Sequence, residues 1–214
     1  MKILITGASR GIGLACVKKY VAEGHDVIGF DITESDFVDP HYQHMLVDIT
    51  GELPEISGVE VLINNAGVQD GDQVIETNLN ATIRVTEKYG IHPGIHSILF
   101  MASSSASNGA EFPEYAASKG GVVTYMKNVA LRVAPYKATS NSISAGGVYT
   151  PLNAHIMEDA NLMEQCLDET LLHAWASAEE IADFTYFLTN INASMTGQDL
   201  LIDNGEQLKS NFIW

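Results

Sequence analysis

Short segments of strand-forming character alternate with longer mixed segments along this chain. Most of the short segments are apolar and rich in Ile, Leu and Val, which predicts buried strands. They are residues 2–6, 26–31, 44–48, 60–63, 97–102, 139–144 and 199–203. Several longer segments space their apolar positions as a helix does, for example Leu14, Val17 and Val21. The alternation predicts an α/β fold: a single doubly wound (Rossmann) domain, with a mostly parallel seven-stranded sheet flanked by helices.

The connections between the predicted strands are uneven. Residues 32–43 are polar and include a proline, so we expect a loop with little helix. About ten residues join the third and fourth strands, too few for a full crossover helix, so we expect a stub or a bare loop there. Helices are predicted from Asn78 to about Lys88 and from about residue 114 to about Val133. The last helix begins at Ser177, a good N-cap.

Composition excludes several classes of protein. The 214 residues are 46% hydrophobic, which suits one globular domain over residues 1–214. No apolar run is long enough to span a membrane, and the first residues lack the pattern of a secretory signal. The net charge of −16 argues against nucleic acid and anionic membrane surfaces as partners. Cys16 and Cys166 form no motif, so reduced thiols in a cytoplasmic protein are expected.

A glycine-rich turn follows the first predicted strand and precedes the first predicted helix. Gly7, Gly11 and Gly13 have the spacing G-x-x-x-G-x-G. Strand, glycine-rich turn and helix form the context of a dinucleotide site, because the helix N-terminus offers free N–H groups and a positive dipole end to a pyrophosphate. Gly7 would permit the tight turn, Gly11 the approach of the pyrophosphate, and Gly13 the close packing of helix on strand.

The second predicted strand ends at an acidic residue, Asp31, eighteen residues after Gly13. A carboxylate at this position is placed to hydrogen-bond both hydroxyls of an adenosine ribose and to repel the extra phosphate of NADP. Arg10 acts in the opposite direction, because a basic residue in the glycine loop can neutralise that phosphate. The contact of Asp31 is the more direct one, so we expect NAD as the cofactor, with NADP as the alternative.

Tyr115 and Lys119 are four residues apart, so they share one face of a helix. An ammonium group close to a phenol favours the phenolate and lowers the pKa of the phenol. Such a tyrosine approaches the pH range in which general acid–base catalysis is efficient. The same spacing also occurs in an ordinary helical turn with one buried ring and one solvated lysine, so the pair gains its weight from the motifs around it.

Five motifs occur in order at compatible spacings: T-G-A-S-R-G-I-G at 6–13, N-N-A-G at 64–67, Asn78, Ser103 and Y-A-A-S-K at 115–119. Together they resemble the short-chain dehydrogenase/reductase family, of its classical type. Residues 146–152 and 196–203 also look like family signatures. The resemblance covers nearly the whole chain. It implies an NAD(P)-dependent oxidoreductase that transfers a hydride between a nicotinamide cofactor and an alcohol or ketone.

The resemblance implies four catalytic residues. Tyr115 would be the general acid–base, Ser103 would hydrogen-bond the substrate oxygen, and Lys119 would lower the tyrosine pKa and bind the nicotinamide ribose. Asn78 would sit at a helix distortion and complete a proton relay through water. Ser103 lies twelve residues before Tyr115, slightly fewer than is usual in the family, so Ser104 is the alternative serine. No metal ion is expected in the site.

The resemblance also implies the cofactor-binding positions, which are Gly7, Ser9, Arg10, Gly11, Ile12, Gly13, Asp31, Asp48, Ile49, Asn65, Ala66, Gly67, Tyr115, Lys119, Gly146, Val148 and Thr150. Asp48 and Ile49 would lie at the adenine ring, and Val148 and Thr150 at the carboxamide and pyrophosphate. The segment 148–175 would form a lid over the substrate, and residues 152–174 offer no charge cluster that identifies that substrate. Helices at about 73–88 and 114–133 would join subunits into a homodimer or homotetramer.

Two other functions are compatible with this fold. A cofactor-binding redox sensor with little or no turnover would keep the glycine loop but tolerate loss of Tyr115 or Lys119, and both residues are present. An enzyme that uses the cofactor for epimerisation or dehydration usually carries an extra substrate domain, for which 214 residues leave no room. The sequence therefore favours an alcohol or ketone oxidoreductase.

Overall fold

A seven-stranded sheet lies at the centre of the computed structural model, which describes residues 1–110 and 112–209. The strands of the chain are β1 (Lys2–Thr6), β2 (Asp26–Asp31), β3 (Tyr42–Leu46), β4 (Val61–Asn64), β5 (Ser97–Met101), β6 (Thr139–Ala145), β7 (Val148–Tyr149), β8 (Ala176–Ser177) and β9 (Asp199–Ile202). The central sheet has the order β3-β2-β1-β4-β5-β6-β9, and every pair in it is parallel. The predicted α/β, doubly wound fold is confirmed. Because all seven strands point the same way, their carboxyl ends form one edge.

Helices cover both faces of this sheet. They are α1 (Gly11–Ala22), α2 (Thr82–Tyr89), α3 (Ser105–Asn108), α4 (Pro113–Val133), α5 (Ala154–Met157), α6 (Ala160–Asp168) and α7 (Ala178–Tyr186). Two π-helical segments, Glu76–Ala81 and Phe187–Ile191, precede α2 and follow α7. Three 3-10 turns occupy Ala134–Tyr136, Pro151–Asn153 and Glu206–Leu208. Helices α1 and α7 pack on one face, and α2 and α4 pack on the other.

The central strands feed two hydrophobic layers. Ile3 and Ile5 of β1 lie in the layer under α1 and α7, whereas Leu4 lies in the layer under α2 and α4. All three side chains are fully buried. A strand buried on both faces needs apolar residues at successive positions, and this explains why the central strands appear in the sequence as continuous apolar runs.

Strand β3 begins and ends two residues earlier than predicted. It covers Tyr42–Leu46 instead of 44–48, so Val47 and Asp48 lie beyond its end. β3 is an edge strand that pairs only with β2, and partly exposed side chains give it no clear apolar pattern. The Asp48 carboxylate accepts a hydrogen bond from Thr50 N at 2.8 Å, which favours a turn at this point. The predicted bare loop between β3 and β4 is confirmed.

Three further elements test the predicted boundaries. The long helix α4 ends at Val133 as expected. Ser177 caps α7 in a capping box, in which its Oγ accepts from Glu180 N at 3.1 Å and Glu180 Oε2 accepts from Ser177 N at 2.8 Å. The helix predicted to begin at Asn78 begins before it, because the π-helical segment Glu76–Ala81 runs directly into α2. The β7–β8 pair was not predicted, since strands of two residues carry no periodic signal.

The prediction of one domain over 1–214 includes residue 111 and residues 210–214, which lie outside the described residues. Within the described part of the chain, no helix is long and apolar enough to cross a membrane.

Candidate active site

A cavity of about 820 Å³ opens at the edge where the parallel strands end. Its volume falls within the range of roughly 300–1,000 Å³ typical of small-molecule and cofactor sites. Most of the predicted site residues line it: Gly7, Arg10, Gly11, Ile12, Asp31, Asp48, Ile49, Asn65, Ala66, Gly67, Tyr115, Lys119, Gly146, Val148 and Thr150. Four predicted residues, Ser9, Gly13, Asn78 and Ser103, are not among the described residues that line it.

The glycine loop is tight because two glycines in it are close to backbone atoms. Gly7 has φ +68°, and a Cβ there would stand 2.9 Å from Ala66 Cα. A Cβ on Gly13 would stand 1.8 Å from the Gly7 carbonyl oxygen, so the first turn of α1 rests directly on the end of β1. Asn65 Nδ2 donates to Gly7 O at 2.9 Å and ties the loop to β4. Gly13 therefore supports the loop by packing against Gly7, and it does not itself line the cavity.

Asp31 ends β2 and is fixed by its neighbours. Its Oδ2 accepts from Ser9 N at 2.9 Å, and its Oδ1 accepts from Thr33 N and Thr33 Oγ1, both at 3.0 Å. Ser9 Oγ donates to Thr33 O at 2.8 Å. Ser9 thus links the glycine loop to the end of β2, and the Asp31 carboxylate is held at the cavity wall.

The loop after β3 forms the neighbouring part of the wall. Asp48 accepts from Thr50 Oγ1 at 2.7 Å as well as from Thr50 N, and these hydrogen bonds lower the pKa of its carboxyl below the ordinary value. Arg84 of α2 reaches the same loop, because its Nη2 donates to Thr50 O at 2.9 Å and to Ile49 O at 3.2 Å. Glu76 holds the other guanidinium nitrogen, Nη1, at 2.6 Å.

Tyr115 and Lys119 lie in the first turns of α4 and line the cavity together. Lys119 is 5% exposed, and its Nζ lies 5.6 Å from the centroid of the Tyr115 ring. The same Nζ donates to Met101 O, at the end of β5, at 2.9 Å. A Cβ on Gly67 would stand 3.4 Å from the lysine nitrogen and 3.1 Å from Asn78 Oδ1. The glycine of N-N-A-G therefore lies against both the lysine and the asparagine side chains, with little space for a side chain of its own.

Asn78 lies in the π-helical segment before α2 and is 1% exposed. The helix distortion that the family resemblance implied at this residue is confirmed. Asn78 accepts from Val68 N at 2.8 Å and donates to Val68 O at 2.9 Å and Ser118 Oγ at 3.1 Å. Ser118 in turn donates to Tyr115 O at 2.7 Å. The side chain of Asn78 therefore joins the β4 loop to the turn of α4 that carries the tyrosine.

The serines that follow β5 are all buried. Ser103 Oγ accepts from Ser105 N at 3.2 Å and from Ser105 Oγ at 3.0 Å. Ser104 N donates to Ala145 O at 2.9 Å, which fixes this turn against the end of β6. Gln207 Nε2 donates to Ser104 O at 2.8 Å. Both candidate serines thus lie at the carboxyl end of the sheet, and the hydrogen bonds hold the turn that carries them.

Sequence reasoning missed the side chains on the lid side of the cavity. Cys166, Glu169, Trp175 and Glu206 all line it. Glu169 lines the cavity although it belongs to residues 152–174, the segment in which the sequence offered no charge cluster that identifies the substrate. The sequence carries only a weak signal for these residues, the pair of adjacent glycines Gly146 and Gly147. In the structure the indole of Trp175 packs directly on Gly147.

A separate group of charged side chains lies on the lid. Glu164, Asp168 and His173 place their ligand atoms within 4.8 Å of one another, and all three residues are exposed. His173 Nδ1 lies 3.4 Å from Asp168 Oδ1, and His173 Nε2 lies 3.5 Å from Glu164 Oε1. Exposed acidic groups of this kind are common without a bound ion.

Two family models match this chain. The model described as short chain dehydrogenase matches residues 1–49, and the model described as Enoyl-(Acyl carrier protein) reductase matches residues 41–207, more than half of the chain. The chain belongs to the short-chain dehydrogenase/reductase family. This confirms the family that the motifs indicated, and it places the chain among the oxidoreductases.

Members of the short-chain dehydrogenase/reductase family match it over nearly the full length. L-xylulose reductase of Mus musculus is 28% identical over 232 residues, with 95% of each chain covered. The 3-oxoacyl-acyl-carrier-protein reductase FabG of Escherichia coli (strain K12) is 27% identical over 241 residues, with 94% of this chain and 95% of FabG covered.

Solved structures agree with the fold. A short chain dehydrogenase family protein from Francisella tularensis subsp. tularensis SCHU S4 is 26% identical with a TM-score of 0.84, and the match covers 97% of this chain and 99% of that one. A 4-hydroxyisoleucine dehydrogenase complexed with NADH is 23% identical with a TM-score of 0.87, covering 98% of this chain and 99% of that one. At this identity, the second likeness concerns the fold alone.

Proposed function

We propose that this short-chain dehydrogenase/reductase transfers a hydride between NAD(H) and a small-molecule alcohol or ketone, with Tyr115 as the general acid–base. The observation that carries the proposal is that Tyr115 and Lys119 share one cavity with the glycine loop and with Asp31. A titratable tyrosine beside an ammonium group is suited to proton transfer, and the glycine loop and carboxylate are suited to a dinucleotide.

The residues present fit a nicotinamide dinucleotide. The glycine loop opens on the N-terminus of α1, where free N–H groups favour a pyrophosphate. Asp31 is held at the cavity wall by Ser9 and Thr33, and a carboxylate has lone pairs for more hydrogen bonds than those two residues donate. Asp48 and Ile49 would border the adenine ring, and Val148 and Thr150 the nicotinamide half. When bound, the cofactor supplies the hydride acceptor or donor.

The chain's own residues move the proton. In alcohol oxidation Tyr115 takes the hydroxyl proton, and in ketone reduction it returns one. Ser103 donates a hydrogen bond to the substrate oxygen and stabilises the charge that develops on it. Lys119 favours the phenolate and orients the nicotinamide ribose. Asn78 keeps the π-helical turn in place, so that its backbone carbonyl holds a water that leads protons from Lys119 to solvent.

Two further parts of the proposal concern the localisation of the protein and its oligomeric state. Both cysteines are free thiols, which suits a reducing compartment, and we place the protein in the cytoplasm. Association into a homodimer or homotetramer is supported by the family, and it is tested below.

The decisive experiment follows absorbance of NADH while the purified protein is offered a panel of alcohols and ketones. Tyr115→Phe keeps the ring and removes the ionisable oxygen, so turnover should fall by about 10²–10⁴-fold, the contribution of a general acid–base. NADH affinity, measured by calorimetry on the same samples, should hardly change. Near-normal turnover in Tyr115→Phe would refute the mechanism. Tight NADH binding with no turnover on any substrate would instead indicate a cofactor-binding redox sensor.

A further inference from the structure

The lid-side wall, defined here as Glu169, Trp175 and Glu206, lies beside the catalytic residues. Gly146 and Gly147 follow β6 directly, and Ala145 O accepts from Ser104 N at 2.9 Å, next to the candidate catalytic serine. A Cβ on Gly146 would stand 2.9 Å from Glu206 Oε2, and a Cβ on Gly147 would stand 2.2 Å from Trp175 Nε1. The carboxylate and the indole N–H thus lie against consecutive glycines at the end of β6.

Trp175 contributes a donor that the protein itself leaves unused. The residue is 9% exposed and lines the cavity, and the Tyr149 ring lies 5.8 Å away, centroid to centroid. Among the hydrogen bonds of the described residues, none involves the Trp175 Nε1–H. Trp175 Nε1 is not among the fully buried, unpaired atoms of the described residues, so this N–H is accessible to a ligand in the cavity. Trp175 can donate but cannot accept, so a ligand group that pairs with it must be an acceptor.

Glu169 and Glu206 contribute only acceptors when they are ionised. Both carboxylates line the cavity together with Cys166. Burial raises the pKa of the Cys166 thiol, and the charges of Glu169 and Glu206 raise it further. Among the described residues that line the cavity, the basic side chains are Arg10 and Lys119, which belong to the cofactor and catalytic parts. The lid-side wall therefore carries two carboxyl groups, those of Glu169 and Glu206.

The hydrogen-bond donors and acceptors of the lid-side wall limit the chemical classes of substrate that fit it. A hydroxyl group both accepts and donates, so neighbouring hydroxyls satisfy the indole and the carboxylates together. An ammonium group cannot accept from the indole, an anionic group is repelled by the carboxylates, and a simple alcohol leaves the indole unsatisfied. The C–H face of a polyol can also pack on the aromatic ring.

We propose that the substrate is an uncharged polyhydroxy alcohol or the corresponding hydroxy ketone, with one hydroxyl oxygen on Trp175 Nε1–H and further hydroxyls donating to Glu169 and Glu206. This inference rests on the proposed function. In the oxidation, the carbinol C–H bond breaks and its hydride passes to NAD⁺. The hydroxyl proton passes to Tyr115, the C–O bond becomes a carbonyl, and NADH and the hydroxy ketone leave.

Matched substrates test the inference. The pentitol stereoisomers, 2-pentanol and the sodium pentonates share a carbon chain length but differ in hydroxyl count and charge. The kcat/KM of at least one pentitol with NAD⁺ should exceed that of 2-pentanol and of every pentonate by about tenfold or more, since each lost hydrogen bond costs up to about that factor. Equal kcat/KM for 2-pentanol, or preference for a pentonate, overturns the inference and leaves the proposed function standing.

Matched variants locate the effect. Trp175→Phe keeps an aromatic ring and removes the N–H, so it should lower kcat/KM for the pentitol roughly tenfold while leaving 2-pentanol unchanged. Glu206→Gln and Glu169→Gln should each reduce the ratio of kcat/KM for the pentitol to kcat/KM for the pentonate. The control Glu164→Gln alters an exposed carboxylate of the same lid that does not line the cavity. It should leave unchanged both the pentitol to 2-pentanol ratio and the pentitol to pentonate ratio of kcat/KM. Equal losses on pentitol and 2-pentanol in Trp175→Phe would mean a packing role only, which contradicts the inference.

A binding measurement separates the two proposals. Saturation-transfer NMR detects pentitol on the complex of the protein with NADH, whether or not turnover occurs. Pentitol binding that is lost in Trp175→Phe but kept in Glu164→Gln supports the inference even if no substrate is oxidised, a result that would refute the proposed function alone. Absence of pentitol binding to the NADH complex overturns the inference.

Discussion

At the scale of single residues, the two candidate serines have different partners. Ser103 Oγ accepts two hydrogen bonds from Ser105, and neither of them uses the hydrogen of the Ser103 hydroxyl. Ser104 is fixed through its backbone by Ala145 and Gln207. We expect Ser103→Ala to lower kcat by about 10²-fold or more, the loss typical of an oxyanion donor, while NADH affinity is kept.

Ser104→Ala is the matched change for this prediction, and steady-state kinetics on one confirmed substrate compares the two. Ser104→Ala should reduce kcat far less, because it leaves both backbone hydrogen bonds in place. If Ser104→Ala is the damaging change, the catalytic serine is the neighbouring residue and the rest of the mechanism stands.

Asp31 determines cofactor preference in our proposal. Its carboxylate is held at the cavity wall by Ser9 and Thr33, so it cannot easily turn away from a 2′-phosphate. Juxtaposed like charges cost several kcal/mol, and calorimetry should find NADH binding at least tenfold tighter than NADPH. Asp31→Ser should reduce that ratio. NADPH binding tighter than NADH would contradict the prediction, and Arg10→Ala would then reveal whether Arg10 is the cause.

Residues that act through a local motif could be predicted from the sequence, and those that act through distant packing could not. Tyr115 and Lys119 face one cavity because a helix brings positions four apart together. Trp175 packs on Gly147, which lies in a different loop of the chain. No local pattern records a contact between such distant residues.

At the scale of elements, Arg84 of α2 fixes the loop that joins β3 to β4, where the described residues form no helix to order the chain. Its guanidinium holds the carbonyls of Ile49 and Thr50, and Glu76 holds the guanidinium. In Arg84→Ala the loop with Asp48 and Ile49, which we propose borders the adenine ring, would have to be ordered by NADH binding itself. We expect the Kd for NADH to rise about tenfold, consistent with loss of hydrogen bonds from a charged donor.

The control for this prediction lies one turn along α2. Lys88 Nζ donates to Leu53 O at 2.8 Å and pairs with Glu55 at 2.6 Å, and none of these three residues lines the cavity. Lys88→Ala should therefore leave the Kd for NADH unchanged in the same calorimetric titration. Affinity for nicotinamide mononucleotide, which lacks adenosine, should be unaffected by Arg84→Ala. A loss there would mean that the whole cavity had been disturbed.

Elements with a strong pattern were predicted well, and those without one were not. β1, β4 and β5 are buried on both faces, so their apolar runs mark them in the sequence. β3 at the edge is half-exposed, and its predicted bounds were two residues too late at both ends. The β7–β8 pair is defined by the meeting of two distant loops. The π-helical turn at Asn78 was expected from the family resemblance alone.

At the scale of the whole molecule, a face of small residues on α4 remains uncovered within one chain. Ala116 and Gly120 are partly exposed and Thr124 is exposed, and α2 packs beside this helix. We expect a homodimer or homotetramer through these helices. Light scattering at micromolar concentration should give a mass of two or four chains, and Thr124→Arg should reduce it to one.

Ser57→Arg, in an exposed loop, is the control for added charge and should keep the wild-type mass. A wild-type monomer at micromolar concentration would contradict the prediction. The net charge of −16 makes subunits repel one another, so added salt should strengthen association by screening this repulsion.

The contact between Gly147 and Trp175 also constrains how this enzyme can change over evolutionary time. A methyl group at residue 147 would lie 2.2 Å from the indole nitrogen, so Gly147→Ala displaces the ring while position 175 keeps its tryptophan. Substitution in the opposite order is tolerated, because a smaller residue at position 175 leaves space for a side chain at position 147. Substrate range should therefore diverge among descendants along paths that alter residue 175 before residue 147.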